Sequence, residues 1–139
     1  MLYGGDTCRS AHEYHFVNVR GCKAGIALSP GVPVGYIDEL GTYLDFVLVM
    51  AVNPGFAGQK MLDDHLDKLR RVREAASRFE GIEIIVDGNT TAQNSVTMLQ
   101  NGATGLVIGT SSAMKFGPGK FTEEYNKYIS DILRGLDEK

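Results

Sequence analysis

Val49-Met50-Ala51-Val52-Asn53-Pro54-Gly55-Phe56-Ala57-Gly58-Gln59-Lys60 is the stretch on which the fold turns. It closes a nearly continuous apolar run, Asp45 to Val52, and a run of that kind suits a strand covered on both faces, which implies parallel packing. The run breaks into a Gly/Pro loop, and beyond it Leu62, Leu66, Leu69, Val72, Ala76 and Phe79 recur at helical intervals. A strand entering a glycine-rich loop and then a helix N-terminus has the geometry of a phosphate cradle. Small residues let backbone N–H groups approach an anion closely, and the helix dipole favours negative charge there. On spacing alone the same loop also serves as a plain connection in α/β proteins.

Outward from this unit the order repeats. Ile82 to Val86 forms another apolar strand that delivers Asp87 at its C-terminal end; Gly88-Asn89-Thr90-Thr91 follows, then a helix carrying Ala92, Val96 and Leu99 that ends at Asn101-Gly102. The last strand, Gly105 to Ile108, reaches a second small-residue loop, Gly109-Thr110-Ser111-Ser112, which enters a short helix. Tyr125, Tyr128, Ile129, Ile132 and Leu136 mark a final amphipathic helix. On the N-terminal side, Lys23 to Leu28 reads as a strand, and Ser29-Pro30-Gly31-Val32-Pro33 as a turn opening a short helix over Val34 to Leu40. A weak helical pattern covers Ala11 to Val19, and Met1 to Asp6 reads as the tail of a strand, cut mid-element. The result is one domain over residues 1–139, with about four strand–helix units of parallel type. This order fits an open doubly wound sheet or part of a closed barrel. Three neighbouring strand-end loops that all look built for a ligand favour the barrel, the C-terminal half of a (β/α)8 architecture with outer helices.

Composition narrows the function. A formal charge of −3, from 14 basic and 17 acidic residues, provides no basic stripe to neutralise a nucleic-acid backbone. Lys68, Arg70, Arg71 and Arg73 share a helix whose first turn carries Asp63 and Asp64, a distribution that complements the macrodipole and reads as a solvated face. His65 falls on the exposed side of the same pattern, as a surface residue rather than a base. Cys8 and Cys22 have no Cys-x-x-Cys spacing, so a disulfide framework and a thiolate metal site are both disfavoured and a reduced, cytoplasmic setting fits. No apolar run has the length of a membrane helix. His12 and His15 lie one helical turn apart without a further ligand beside them. Ser111 and Ser112 lack the Gly-x-Ser-x-Gly setting of a nucleophile elbow.

Four stretches carry a resemblance: Lys23-Ala24-Gly25-Ile26-Ala27-Leu28-Ser29-Pro30-Gly31, the quoted Val49 to Gln59 segment, Val86-Asp87-Gly88-Asn89 and Ile108-Gly109-Thr110-Ser111. Together, in this order and spacing, the sequence resembles the ribulose-phosphate 3-epimerase family, which includes the allulose 6-phosphate 3-epimerases. The resemblance implies inversion of C3 of a ketose phosphate, ribulose 5-phosphate to xylulose 5-phosphate, by two aspartates on opposite faces of the substrate. A divalent metal (zinc, iron or manganese) bridges them with two histidines. Of those four residues only the second aspartate has a counterpart, Asp87, as both catalytic group and metal ligand. The resemblance also implies that the backbone of Gly55, Phe56, Ala57 and Gly58 lines the substrate, with Gly88 and Asn89 beside it, that Gly109 and Thr110 close the phosphate site, and that Met50 packs against the reacting end. Ala57 and Asn89 stand where glycine is frequent and Thr110 where serine is; Asn89 raises the prospect of a narrower pocket or a shift toward ketohexose phosphates.

One carboxylate cannot reach both faces of a planar intermediate, so inversion requires a complementary half. A half-barrel also leaves the inner face of its sheet and two strand edges without cover, which predicts association with a second copy or with a complementary half-barrel chain. Two further readings stand beside the incomplete epimerase: a non-catalytic sugar-phosphate-binding module or assembly partner, and a truncated product that folds only as an oligomer.

Overall fold

Parallel strands joined by right-handed crossovers put every helix on the same side of the sheet as long as the strand order never reverses. That condition holds here. The computed structural model describes residues 2–4, 21–55, 57–115 and 118–138, and within them five parallel strands lie side by side in chain order. They are β1 (Leu2–Gly4), β2 (Gly25–Leu28), β3 (Phe46–Met50), β4 (Glu83–Asp87) and β5 (Gly105–Leu106). A doubly wound sheet would reverse direction at a switch point, whereas winding in one direction is the way of a barrel wall. The helices are α1 (Tyr36–Leu40), α2 (His65–Ala76), α3 (Ala92–Gln100) and α4 (Phe121–Asp137), with 3-10 turns at Gly41–Tyr43 and Pro118–Lys120.

Alternation along the strands decides what packs under the helices. Ile26, Leu28, Val47, Val49, Ile84 and Val86 form one face and meet Ile37 and Leu40 of α1, Leu69 and Val72 of α2 and Met98 of α3 in a single core. Each such side chain contributes about 1.5–3 kcal/mol on burial, so this layer outweighs any single polar contact among the described residues. The register places Ile26 beside Val47, Val47 beside Ile84 and Val49 beside Val86, which keeps the branched side chains in rows. A second, smaller core joins Tyr128 and Ile132 of α4 to Ala113. On the opposite sheet face Ala27 and Leu48 are buried as well, while Val107, just past β5, remains 38% exposed. The Phe46 ring lies across Gly25, where an added Cβ would sit 2.4 Å from the ring.

Several boundaries differ from the periodicity. Leu62 precedes α2 instead of opening it, because its N–H is taken by Ala51 O at 3.0 Å, which pins the base of the intervening loop. Phe79 lies past the end of α2 and packs against Gly41. Ala113 to Lys115 form turns instead of the expected short helix, and a 3-10 turn follows at Pro118–Lys120. The Ala11 to Val19 pattern, with His12 and His15, lies outside the described residues. No described helix is long and apolar enough to cross a membrane.

Candidate functional site

The C-terminal strand ends converge on one cavity of about 240 Å³. Met50 and Asp87 are register partners on β3 and β4, so strand pairing alone sets their side chains next to each other on the face opposite the helices. Three loops complete the wall: Val52, Gly55, Ala57, Gly58 and Gln59 after β3, Gly88, Asn89 and Thr90 after β4, and Val107, Gly109, Thr110 and Ser111 after β5. Every candidate residue except Phe56 is therefore brought to the same place, and Phe56 lies outside the described residues. Gln59, Thr90 and Ser111 belong to the three strand-end loops expected to hold a ligand, though no role is read for them individually; Val52 and Val107 are additions of the structure, and strand alternation points to Val107.

Backbone geometry at the second loop is tightly specified. Gly88 has φ +109, and a Cβ there would meet Val52 Cγ2 at 2.7 Å, so both conformation and space require glycine. Asn89 adopts φ +49, a left-handed conformation that asparagine tolerates better than most residues. The glycine-like backbone is kept and a side chain is added. Its Oδ1 accepts from Met61 N–H at 3.2 Å and from Asn94 Nδ2 at 2.7 Å, and Asn94 Nδ2 also donates to Asn89 O at 2.9 Å. Thr91 caps α3 by accepting Asn94 N–H at 3.2 Å. Thr90 is buried and donates to Val107 O at 2.8 Å, tying the second loop to the third. Behind it Tyr128 of α4 and Ser95 of α3 share a buried hydroxyl bond of 2.7 Å, and burial holds the Tyr128 hydroxyl above its ordinary pKa, as a neutral phenol.

In the third loop Ser112 Oγ accepts Gly109 N–H at 2.8 Å and donates to Gly109 O at 2.9 Å, so that amide is engaged within the loop. In the first, Gln59 Nε2 donates to Asn53 O at 2.6 Å. No lysine or arginine lines the cavity, and Asp87 is its one ionisable lining residue among the described residues. An anion held here would be held by peptide N–H groups, the means available to small-residue loops at helix N-termini.

Two expectations are overturned. His65 is buried, 3% exposed, because the first turn of α2 folds against the sheet where the helical pattern had placed it on the surface. Among the described residues neither ring nitrogen completes a hydrogen bond, although the Met50 backbone lies near enough to favour the protonated ring. Lys68 is likewise no part of a solvated face. At 5% exposure its stem is buried and Nζ donates to Ser29 O, Pro30 O and Val32 O at 2.5, 3.0 and 2.7 Å, stapling the turn that follows β2. Burial, reinforced by Arg71, lowers its pKa.

The family resemblance implies a divalent metal, and the described residues do not fit one by themselves. No group of three His, Cys, Asp or Glu side chains comes together among them, and a lone carboxylate would leave the remaining ligand positions to water.

Comparison with known proteins bears on the family and the fold. The chain is 39% identical to ribulose-phosphate 3-epimerase of Escherichia coli over 122 residues, 86% of this chain and 51% of that protein. It is 40% identical to ribulose-phosphate 3-epimerase 1 of Cupriavidus necator over 98 residues, 66% of this chain and 40% of that protein. The chain thus spans about half the length of the curated relatives it matches. A chain of the tryptophan synthase a2b2 complex of Pyrococcus furiosus superposes with a TM-score of 0.62 at 21% identity, over 88% of this chain and 50% of that one, and shares the fold. The model of the ribulose-phosphate 3 epimerase family matches residues 7–113, and the chain belongs to that family.

Proposed function

We propose that this chain supplies the phosphate-gripping half and one proton-transfer group of a ketose-phosphate 3-epimerase, with ribulose 5-phosphate as substrate. The observation that carries the reading is the convergence of Asp87 with the three small-residue loops on one cavity. A phosphate monoester would rest against the Gly58, Gly88 and Thr110 turns, with the carbon chain running toward Met50 and Asp87. C3 lies next to a carbonyl, so its proton is acidic enough for a positioned carboxylate to remove, leaving an enediolate. Asp87 would take or return that proton on one face only. Inversion needs a group on the other face, and we assign that group to a complementary half or a second copy of this chain packed beside the strand ends that carry Met50 and Asp87. Cytoplasmic residence accompanies the proposal.

Deuterium exchange separates the steps. Incubated in D₂O with ribulose 5-phosphate or xylulose 5-phosphate, with and without Mn²⁺ or Zn²⁺, the chain is expected to label C3 of one epimer without interconverting them efficiently. Inorganic phosphate at ten times its Kd should stabilise the fold by about 1.4 kcal/mol. A second reading, a sugar-phosphate-binding module without chemistry, draws on Asp87 being the one ionisable residue of the cavity lining among the described residues. It would give the phosphate stabilisation and no label. Absence of both effects would refute the site altogether. Allulose 6-phosphate, run alongside, reports whether hexulose phosphates are preferred.

A further inference from the structure

We infer that Asn89 is a positioning residue, a strut whose side chain sets the separation between the first and second loops of the phosphate site. The inference rests on the phosphate reading above and replaces direct ligation by Asn89 with a different role. One oxygen, Asn89 Oδ1, takes the Met61 N–H from the far end of the loop after β3 and an N–H of Asn94 from the first turn of α3. The Asn94 amide also grips Asn89 O, so both ends of the Asn89 residue are fixed from one side chain. The loop after β3 has its base closed by Leu62 N–H on Ala51 O and its interior crossed by Gln59 on Asn53 O. The Asn89 contact at Met61, next to that closed base, joins the loop after β3 to the loop carrying Gly88. Glycine at this position would satisfy the φ of +49 and provide no tie. The strut fixes how far apart the N–H groups of the first and second loops stand, and so how well a tetrahedral oxyanion fits between them.

Asn89→Gly is the informative variant, because it relieves the left-handed backbone and removes only the side chain. In the ligand-free protein the Met61 amide should exchange with solvent roughly tenfold faster, the equivalent of one lost hydrogen bond. The Kd for inorganic phosphate, measured by calorimetry, should rise roughly five- to tenfold, more than the few degrees lost from the global unfolding temperature would produce. Asn94→Ala should reproduce the change in Kd more weakly. Asn89→Asp keeps the acceptor and should restore Met61 protection, yet still weaken phosphate through its charge, which separates spacing from electrostatics. Unchanged Met61 exchange in Asn89→Gly overturns the strut even where the parent chain binds phosphate. A Kd that rises only in proportion to lost global stability makes Asn89 a fold residue and also overturns it. A parent chain that fails to bind phosphate while Met61 exchange responds defeats the phosphate reading, and the positioning role with it.

Discussion

The two ends of the strands are finished with different chemistry. Where the strands begin, side chains close the gaps between neighbours. The Asp45 carboxylate accepts Ala24 N–H at 2.7 Å, Thr104 Oγ1 accepts Ile84 N–H at 2.8 Å, and Lys23 pairs with Glu83 at 3.0 Å. Where the strands end, glycines, small hydroxyl residues and one carboxylate surround open space. A parallel sheet leaves peptide groups pointing outward at both ends. Here the starting end is closed by side chains, whereas the finishing end ties its loops to one another and leaves a cavity between them. Substitutions at the start should therefore change stability alone, and substitutions at the finish should change binding or chemistry alone.

The sharpest separation is expected from Asp87→Asn. Removing the only proton-transfer group assigned to the cavity should lower deuterium incorporation at C3 by about 10²- to 10⁴-fold. Phosphate-dependent stabilisation should persist, because the amide keeps the shape and the loops are untouched. Equal loss of both would mean that Asp87 holds the loops together, and the two ends would no longer differ in kind.

Lys68→Met tests an apparent exception. The ammonium lies at the finishing end, beside the turn after β2, yet serves three carbonyls as a staple. Methionine fills the space of the stem and leaves those carbonyls without their donor, a loss of about 3 kcal/mol and about 10 °C in melting temperature. Asp45→Ala, at the starting end, should cost about 1–2 kcal/mol by stranding the Ala24 N–H, with phosphate affinity unchanged. Calorimetric melting with and without phosphate measures both variants. If Lys68→Met also abolishes phosphate binding, the turn after β2 belongs to the site and the division between ends runs through it.

How much of this was legible in the residues follows the same division. The strands and the sheet order were readable because parallel strands with buried side chains on both faces, as at Val47 and Leu48, demand apolar runs such as Phe46 to Met50, and few other structures do. Asp87 and the glycine loops were readable because strand-end position and small residues are written locally. Lys68 and His65 were misread for one reason. Helical periodicity tells which residues share a face, but the rim of that face depends on what packs beside it, here the turn at Ser29–Val32 and the end of β3. Nor could sequence show the Asn89 tie, since Met61 and Asn94 come from opposite sides and meet it only after the sheet has formed.

His65 gives the smallest effect and the finest test. Burial is the main cause that lowers its pKa from the ordinary 6.5, with Asp64 opposing, Lys68 reinforcing and the Met50 backbone opposing. The unfolded chain therefore binds a proton at a pH where the folded chain still excludes it. Stability held in full above the ordinary histidine value falls as the pH drops through 6.5, and levels off once the folded form is protonated too. His65→Leu removes this linkage and with it two buried nitrogens that have no partner, so it should melt about as high as the parent, or somewhat higher, near pH 8. The two melting curves should diverge on acidification toward about pH 5, the parent falling faster. Parallel curves would mean that the imidazolium finds enough compensation from Asp64 and the Met50 backbone to offset its burial. His65 would then be a tolerated cation under the end of β3, and the finishing end would have a buried charge partner that the starting end, with its exposed Lys23 and Glu83, does without.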